Sequence, residues 1–280
     1  MKLDKIQNTL SQITSSAASL IKVAVMSRGV SAKAPEKTGK SIVVMGNGPS
    51  LRQTIDNDME WLCSHDLMAV NFAANTPDFL NLRPAYYILA DGHFFSGRDT
   101  DPNVAKLWEE LGKISWKMTL WVPRKFLHMA KGLTYLNSNI GLKTFNLTPV
   151  EGIKGLCHIM FDAGLGMPRP RNVMIPAIMA AIREGYKKIY LCGADHTWTR
   201  TLSVDDDNFV VSIQPHFYKD NDKEHERVRS TYKGLKLHDV LGSMTIAFRS
   251  YWQIAGYARS RGIEIINATP GSMIDAFPRR

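Results

Sequence analysis

Residues 41–51 read Ser-Ile-Val-Val-Met-Gly-Asn-Gly-Pro-Ser-Leu, a short β-branched apolar run that halts in two glycines, and no other stretch narrows the fold as much. Such a run suits a strand buried on both faces, as in a parallel sheet, and the glycines permit positive φ and close backbone approach at its carboxyl end. Open α/β sheets bind ligands beyond the carboxyl ends of their strands, where backbone amides and a helix N-terminus can hold phosphate. The expected site is therefore Gly46–Ser50 and the expected ligand a nucleotide. No Gly-Lys-Ser/Thr follows, so this is not a Walker loop, and the third glycine of the dinucleotide fingerprint is missing. A Gly-x-Gly of this kind also fits a tight strand-to-helix turn with Ser50 as the helix N-cap.

The same pattern recurs along the chain. Residues 51–63 suit a helix, Leu67 to Asn71 a second strand, and Ala85 to Ala90 a third that ends in Asp91-Gly92-His93. A fourth strand is expected at 117–122, after a helix at 104–111. Arg169-Pro170-Arg171-Asn172 leads into a small-residue helix at 173–184. Lys188 to Cys192 is then a strand that ends in Gly193-Ala194-Asp195-His196-Thr197-Trp198. A long helix at 237–261 and a strand at 263–267 close the chain. Residues 123–165 hold glycines and asparagines that interrupt any period and read as an insertion or as part of an acceptor side. Residues 199–232 are strongly polar and read as a lid. The fold class expected is α/β, a single Rossmann-like domain over 41–280 with a parallel-rich sheet and that lid. An N-terminal amphipathic helix and a linker over 1–40 precede it.

The 280 residues carry a formal charge of +9, which favours an anionic partner. No nucleic-acid recognition motif or aromatic-basic platform accompanies that charge, so nucleic acid is not the expected partner. Cys63, Cys157 and Cys192 are odd in number and widely spaced, which fits neither a disulfide framework nor a zinc site and points to a reducing cytoplasm. Leu3, Ile6, Leu10, Ile13, Ala17, Leu20 and Ile21 recur at helical spacing, flanked by Lys2, Lys5, Lys22 and Arg28. This amphipathic helix has three available roles: peripheral contact with the inner face of the cytoplasmic membrane, pairing with another subunit, or covering its own domain. No apolar run reaches the roughly 18 residues of a membrane span.

Val44 to Leu51, Asn71 and Gly185-Tyr186-Lys187-Lys188-Ile189-Tyr190-Leu191-Cys192-Gly193-Ala194-Asp195, together with Asn267 to Phe277, resemble the bacterial sialyltransferases of the Campylobacter lipooligosaccharide type. The Gly-Asn-Gly-Pro-Ser-Leu signature is also similar to that of flagellin-glycosylation and archaeal pterin-diphosphokinase proteins. The sialyltransferase resemblance implies a variant glycosyltransferase-A fold on one Rossmann unit. It further implies transfer of a sialic-acid-like sugar from a cytidine monophosphate donor to a glycan acceptor such as lipopolysaccharide or capsule, with no metal. Gly46, Asn47, Gly48, Ser50, Asn71, Asp91, Arg171, Asn172, Asp195 and His196 are then the donor-binding candidates. The family's catalytic histidine lies in or beyond the lid, which corresponds to His216, His225 or His238 here. The family's tyrosine after the strand-end Asp is replaced by His196-Thr197-Trp198.

Sugar transfer needs a base for the acceptor hydroxyl and a counter-charge for the departing phosphate. His216 and His238 are the expected bases, and Tyr218, Lys219, Arg227 and Arg229 are available to the phosphate. Asp205-Asp206-Asp207 raises a Mg²⁺-dependent alternative, a pterin or nucleotide diphosphokinase, with Asp91 and Asp195 as better-placed carboxylates. A noncatalytic glycan-assembly protein is a third possibility. A homo-oligomer is compatible with all three.

Overall fold

The computed structural model describes residues 2–135, 137–211 and 234–280. A seven-stranded sheet runs through it, and every neighbouring pair in that sheet is parallel. The strands are β1 (Ser41–Met45), β2 (Asp66–Val70), β3 (Tyr86–Ile88), β4 (Met118–Pro123), β5 (Ile140–Phe145), β6 (Lys188–Cys192) and, last in the chain, β9 (Glu264–Asn267). Their order is β5-β4-β3-β2-β1-β6-β9. The chain therefore builds outward from β1 to β5, then crosses to the other side of β1 for β6 and β9. The order reverses between β1 and β6, the place where α/β sheets open a crevice.

β1 is continuous in hydrophobicity because both faces are covered. Ile42 and Val44 point into one core with Ile189 and Leu191 of β6, while Val43 and Met45 point into the other with Leu67 and Ala69 of β2. The second core is closed by α2 (Ser50–Asn57), α3 (Met59–Cys63), α4 (Asp78–Leu82), α5 (His93–Ser96), α6 (Pro102–Gly112) and α7 (Leu127–Thr134). The first is closed by α8 (Lys154–Asp162), α9 (Met174–Arg183) and α10 (Leu237–Ser260). All of α9 is buried, and Ala177, Ala180 and Ala181 keep its surface small where it crosses the sheet.

Two expectations are corrected. The single helix at 51–63 is two, parted at Asp58 (φ −129°), because Asn57 and Asp58 are poor helix formers. Residues 123–165 are not an irregular insertion: they form α7, edge strand β5 and α8. The polar stretch from 199 starts as ordered structure, a 3₁₀ turn at Trp198–Arg200 and a hairpin of β7 (Ser203–Val204) and β8 (Val210–Val211). Asp205, Asp206 and Asp207 fall in the hairpin turn, where Asp205 Oδ1 accepts the Phe209 amide at 2.7 Å.

The N-terminal helix α1 (Lys2–Met26) lies along the loop after β5. Residues 27–40 have no regular structure but are tied down, with Ala34 N donating to Arg183 O and Lys37 N to Gly185 O. The three cysteines form no disulfide. No helix among the described residues is long and apolar enough to cross a membrane.

Candidate functional site

The carboxyl ends of β1 and β6 meet closely enough to exclude side chains. Gly46 N donates to Cys192 O at 2.7 Å, and Gly48 N to Gly193 O at 2.8 Å. A Cβ on Gly46 would lie 2.5 Å from Gly193 O, and one on Gly48 would lie 2.0 Å from Asp195 Oδ2. Gly193 itself is left-handed, with φ +62°. The Gly46 and Gly48 amides are thus satisfied by β6, and the glycine turn is a clasp between strands rather than a phosphate cradle.

Asp195 completes the clasp and occupies the seat that sequence reasoning gave to a phosphate. Its carboxylate accepts from Ser50 Oγ at 2.7 Å and from Ser50 N at 3.3 Å, at the first turn of α2. A carboxylate there complements the positive end of the helix. Burial nevertheless lifts the Asp195 carboxyl above its ordinary range, and the Ser50 hydrogen bonds only partly offset this. Ser50 is not the helix N-cap; Pro49 holds that position, and the buried Ser50 does not line the cleft.

Above the clasp a cleft of about 530 Å³ opens between the two halves of the sheet. It brings together Gly46, Asn47, Gly48, Asn71, Asp91, Arg171, Asn172, Asp195 and His196. Asn47 Nδ2 bridges to Val70 O at 3.3 Å, and its Oδ1 is buried without a partner among the described residues. Asn71 is left-handed (φ +52°), and its carbonyl accepts from the Tyr87 hydroxyl, which itself accepts from Ala74 N. The exposed Asp91 accepts the His93 amide at 2.9 Å.

On the far wall, Asn172 Oδ1 accepts from Met174 N and from the Tyr251 hydroxyl, both at 3.0 Å, and its Nδ2 is buried without a partner among the described residues. Because Tyr251 donates its one proton to Asn172, it must accept at 2.6 Å from His196 Nε2, which fixes the neutral Nε2–H tautomer. Burial pushes the His196 pKa down to about 3, and its ring lies 4.1 Å from that of Trp198. His196 is therefore a fixed neutral wall and not a proton carrier.

Of the candidates after the hairpin, the described one, His238, is not brought to this cleft. His238 stands at the start of α10 with its side chain 83% exposed, 3.5 Å from Asp239, and does not line it. His216, Tyr218, Lys219, His225, Arg227 and Arg229 lie outside the described residues.

Two features of the cleft escaped the sequence reading. Lys125 stands exposed on its wall, as does the expected Arg171, and neither forms an ion pair among the described residues. His93 lines the cleft and its Nε2 lies 2.8 Å from Asp101 Oδ2, while Asp101 Oδ1 caps α6 through Asn103 N at 2.8 Å. Burial lifts the Asp101 carboxyl, but the His93 ring and the Asn103 amide together hold it below the usual carboxylate range. The signals were present: Asp101-Pro102 is an N-cap followed by proline at N1, and Lys125 follows the carboxyl end of a strand. No group of three or more potential metal ligands occurs among the described residues.

No family model matches the sequence, and no curated protein matches it. Among solved structures, the chain is similar to the MAf glycosyltransferase of Magnetospirillum magneticum AMB-1, at 12% identity and a TM-score of 0.49. The similarity covers 92% of this chain and 37% of that one, so this chain spans well under half the length of that protein. The assignment to the parallel α/β, Rossmann-like class rests on the strand order itself.

Proposed function

We propose that the chain is a nucleotide-sugar-dependent glycosyltransferase whose donor occupies the cleft between β1 and β6. The observation that carries this reading is a cleft of about 530 Å³ at the strand-order reversal, with two cations on its walls that form no ion pair among the described residues. Such a crevice is where sheets of this topology take nucleotides, and Lys125 and Arg171 supply counter-charge for a phosphate. Asn47 Oδ1 and Asn172 Nδ2, buried without a partner among the described residues, favour a polar ligand, because buried polar atoms are otherwise almost always paired.

The glycine-turn resemblance favours cytidine monophosphate as the carrier and a sialic-acid-like sugar as the group moved to a surface glycan. In the reaction the acceptor oxygen bonds to the anomeric carbon. The bond from that carbon to the phosphate oxygen breaks, and its electron pair leaves with the nucleotide. The acceptor proton passes to His93. With its Nε2–H given to Asp101, His93 presents Nδ1 as the basic atom, the division of labour of an Asp–His pair.

A thermal-shift panel tests the reading, using cytidine monophosphate, nucleoside diphosphates and pterins, each with and without Mg²⁺. Stabilisation by cytidine monophosphate without Mg²⁺, reduced in Asn47→Ala, is expected. Stabilisation by pterins or diphosphates only with Mg²⁺ would move the assignment to a diphosphokinase, and no shift with any ligand would sink nucleotide binding. With a turned-over donor, His93→Gln is expected to retain nucleotide binding and lose roughly 10²–10⁴ in rate. An unchanged rate would remove His93 from the reaction.

A further inference from the structure

Helix α1 is anchored the wrong way round for a helix that merely covers its domain. Its small polar side faces inward: Ser16 and Ser19 are buried, Ser19 Oγ donates to Glu151 O at 2.8 Å, and Ile153 N donates to Ser16 Oγ at 2.9 Å. Gly152 lets the helix approach this closely, since a Cβ there would lie 2.2 Å from Ser16 Oγ. The apolar side faces outward. Leu10, Ile13, Leu20, Ile21 and Val25 are each at least half exposed. Ile153, bonded to the helix through its amide, enlarges the patch with its own exposed side chain.

Leu10, Ile13, Ala17, Leu20 and Ala24 follow one another at spacings of three and four residues, and all five are exposed. That alternation is the seam of a two-helix coiled coil, in which each apolar knob enters a hole on a facing helix. We propose that α1 pairs with α1 of a second copy of this chain, making the protein a twofold dimer. This goes beyond the reading of the cleft and does not depend on it.

Charge selects the second copy among the possible occupants. No Asp, Glu, Lys or Arg occurs from Ile6 to Ile21, although each chain carries a formal +9. Two such chains repel over most of their surfaces, and a charge-free stripe is where they can meet at the smallest electrostatic cost. A twofold contact must also be complementary to itself, which an uncharged apolar stripe is. A helix lying on anionic lipid instead carries Lys and Arg along its polar side. Here that side is serine-rich and spent on the protein's own backbone. Ala17 and Ala24 bring the two backbones close at alternate layers of the seam.

Sedimentation velocity of the full chain across 1–100 µM tests this, beside an Ile13→Glu/Leu20→Glu variant. Both side chains are exposed in the single chain, so the variant is expected to keep the wild-type circular dichroism and to lose only the concentration-dependent part of the melting temperature. The expected result is a wild-type mass of twice 31.4 kDa and a variant mass of 31.4 kDa. A wild type that stays monomeric at 100 µM overturns the proposal, as does a variant that stays dimeric, which would put the interface elsewhere. Flotation with phosphatidylcholine/phosphatidylglycerol vesicles provides the second arm. A monomer that binds vesicles, and loses them in the variant, would assign the stripe to a membrane surface.

Discussion

At His196 the backbone is left-handed (φ +53°), and this turn aims the ring back under α10, where it donates to Tyr251. The ring is buried and its pKa is pushed down to about 3, against an ordinary value near 6.5. Between those two values the unfolded chain binds a proton that the folded chain refuses. Stability therefore rises with pH across that window and falls as pH drops from 6.5 toward 3, by up to ~1.4 kcal/mol per pH unit. Asn tolerates the left-handed conformation, so His196→Asn removes the titration without forcing the backbone. From pH 6.5 to 4.5, urea unfolding is expected to show the wild type losing about 2 kcal/mol more than the variant. Parallel pH profiles would mean that His196 is solvated and free to titrate. Nothing local in the sequence announces this role, because Tyr251 lies 55 positions from His196 and 79 from Asn172, and only the fold joins the three. Gly46 and Gly48 were legible as sites of close approach, but what approaches was not. The partner is the end of β6, which only the sheet order brings alongside.

Among the elements, the strands inside the sheet and edge strand β9 were legible, and the other edge strand, β5, was not. Buried parallel strands must be apolar on both faces, so β1, β2, β3 and β6 stand out as short runs that end in Gly, Asn or Asp. Edge strand β5 is covered less completely, and Ile-Gly-Leu-Lys-Thr-Phe carries neither a continuous run nor a clean alternation. The hairpin β7–β8 was hidden for a different reason. Its strands are two residues each, and what holds it is tertiary: Val210 packs with Val240 and Met244 of α10 and with Trp198 and Leu202. Burying a valine contributes about 1.5–3 kcal/mol, as much as so short a hairpin can supply by itself. Val210→Asp is expected to release the hairpin while leaving the sheet folded. Limited proteolysis should then cut between 199 and 211 much faster than in the wild type, with little change in melting temperature. Equal cleavage rates would show that the hairpin does not depend on α10.

For the whole molecule, the sheet order decides where the ligand goes, and the charge decides how strongly salt matters. The cleft draws one wall from the β1–β5 half and the other from the β6–β9 half, so a bound nucleotide would tie the two together. Sequence reasoning reached the strand ends correctly but treated them as one row; it had no access to the crossing from β5 back to β6 that makes two of them face each other. The formal charge of +9 adds a field over the whole surface that favours anions, focused where Lys125 and Arg171 stand exposed. Such exposed charges are screened within about 10 Å at 0.1 M salt and about 3 Å at 1 M. Affinity for cytidine monophosphate, followed by calorimetry, is therefore expected to fall several-fold between 0.05 and 0.5 M NaCl, as order-of-magnitude screening requires. Neutral cytidine should show little change, and Arg171→Ala should both weaken the nucleotide and flatten its salt dependence. Equal salt responses for nucleotide and nucleoside would mean that the phosphate lies away from these cations, and the counter-charge would have to be sought on another wall.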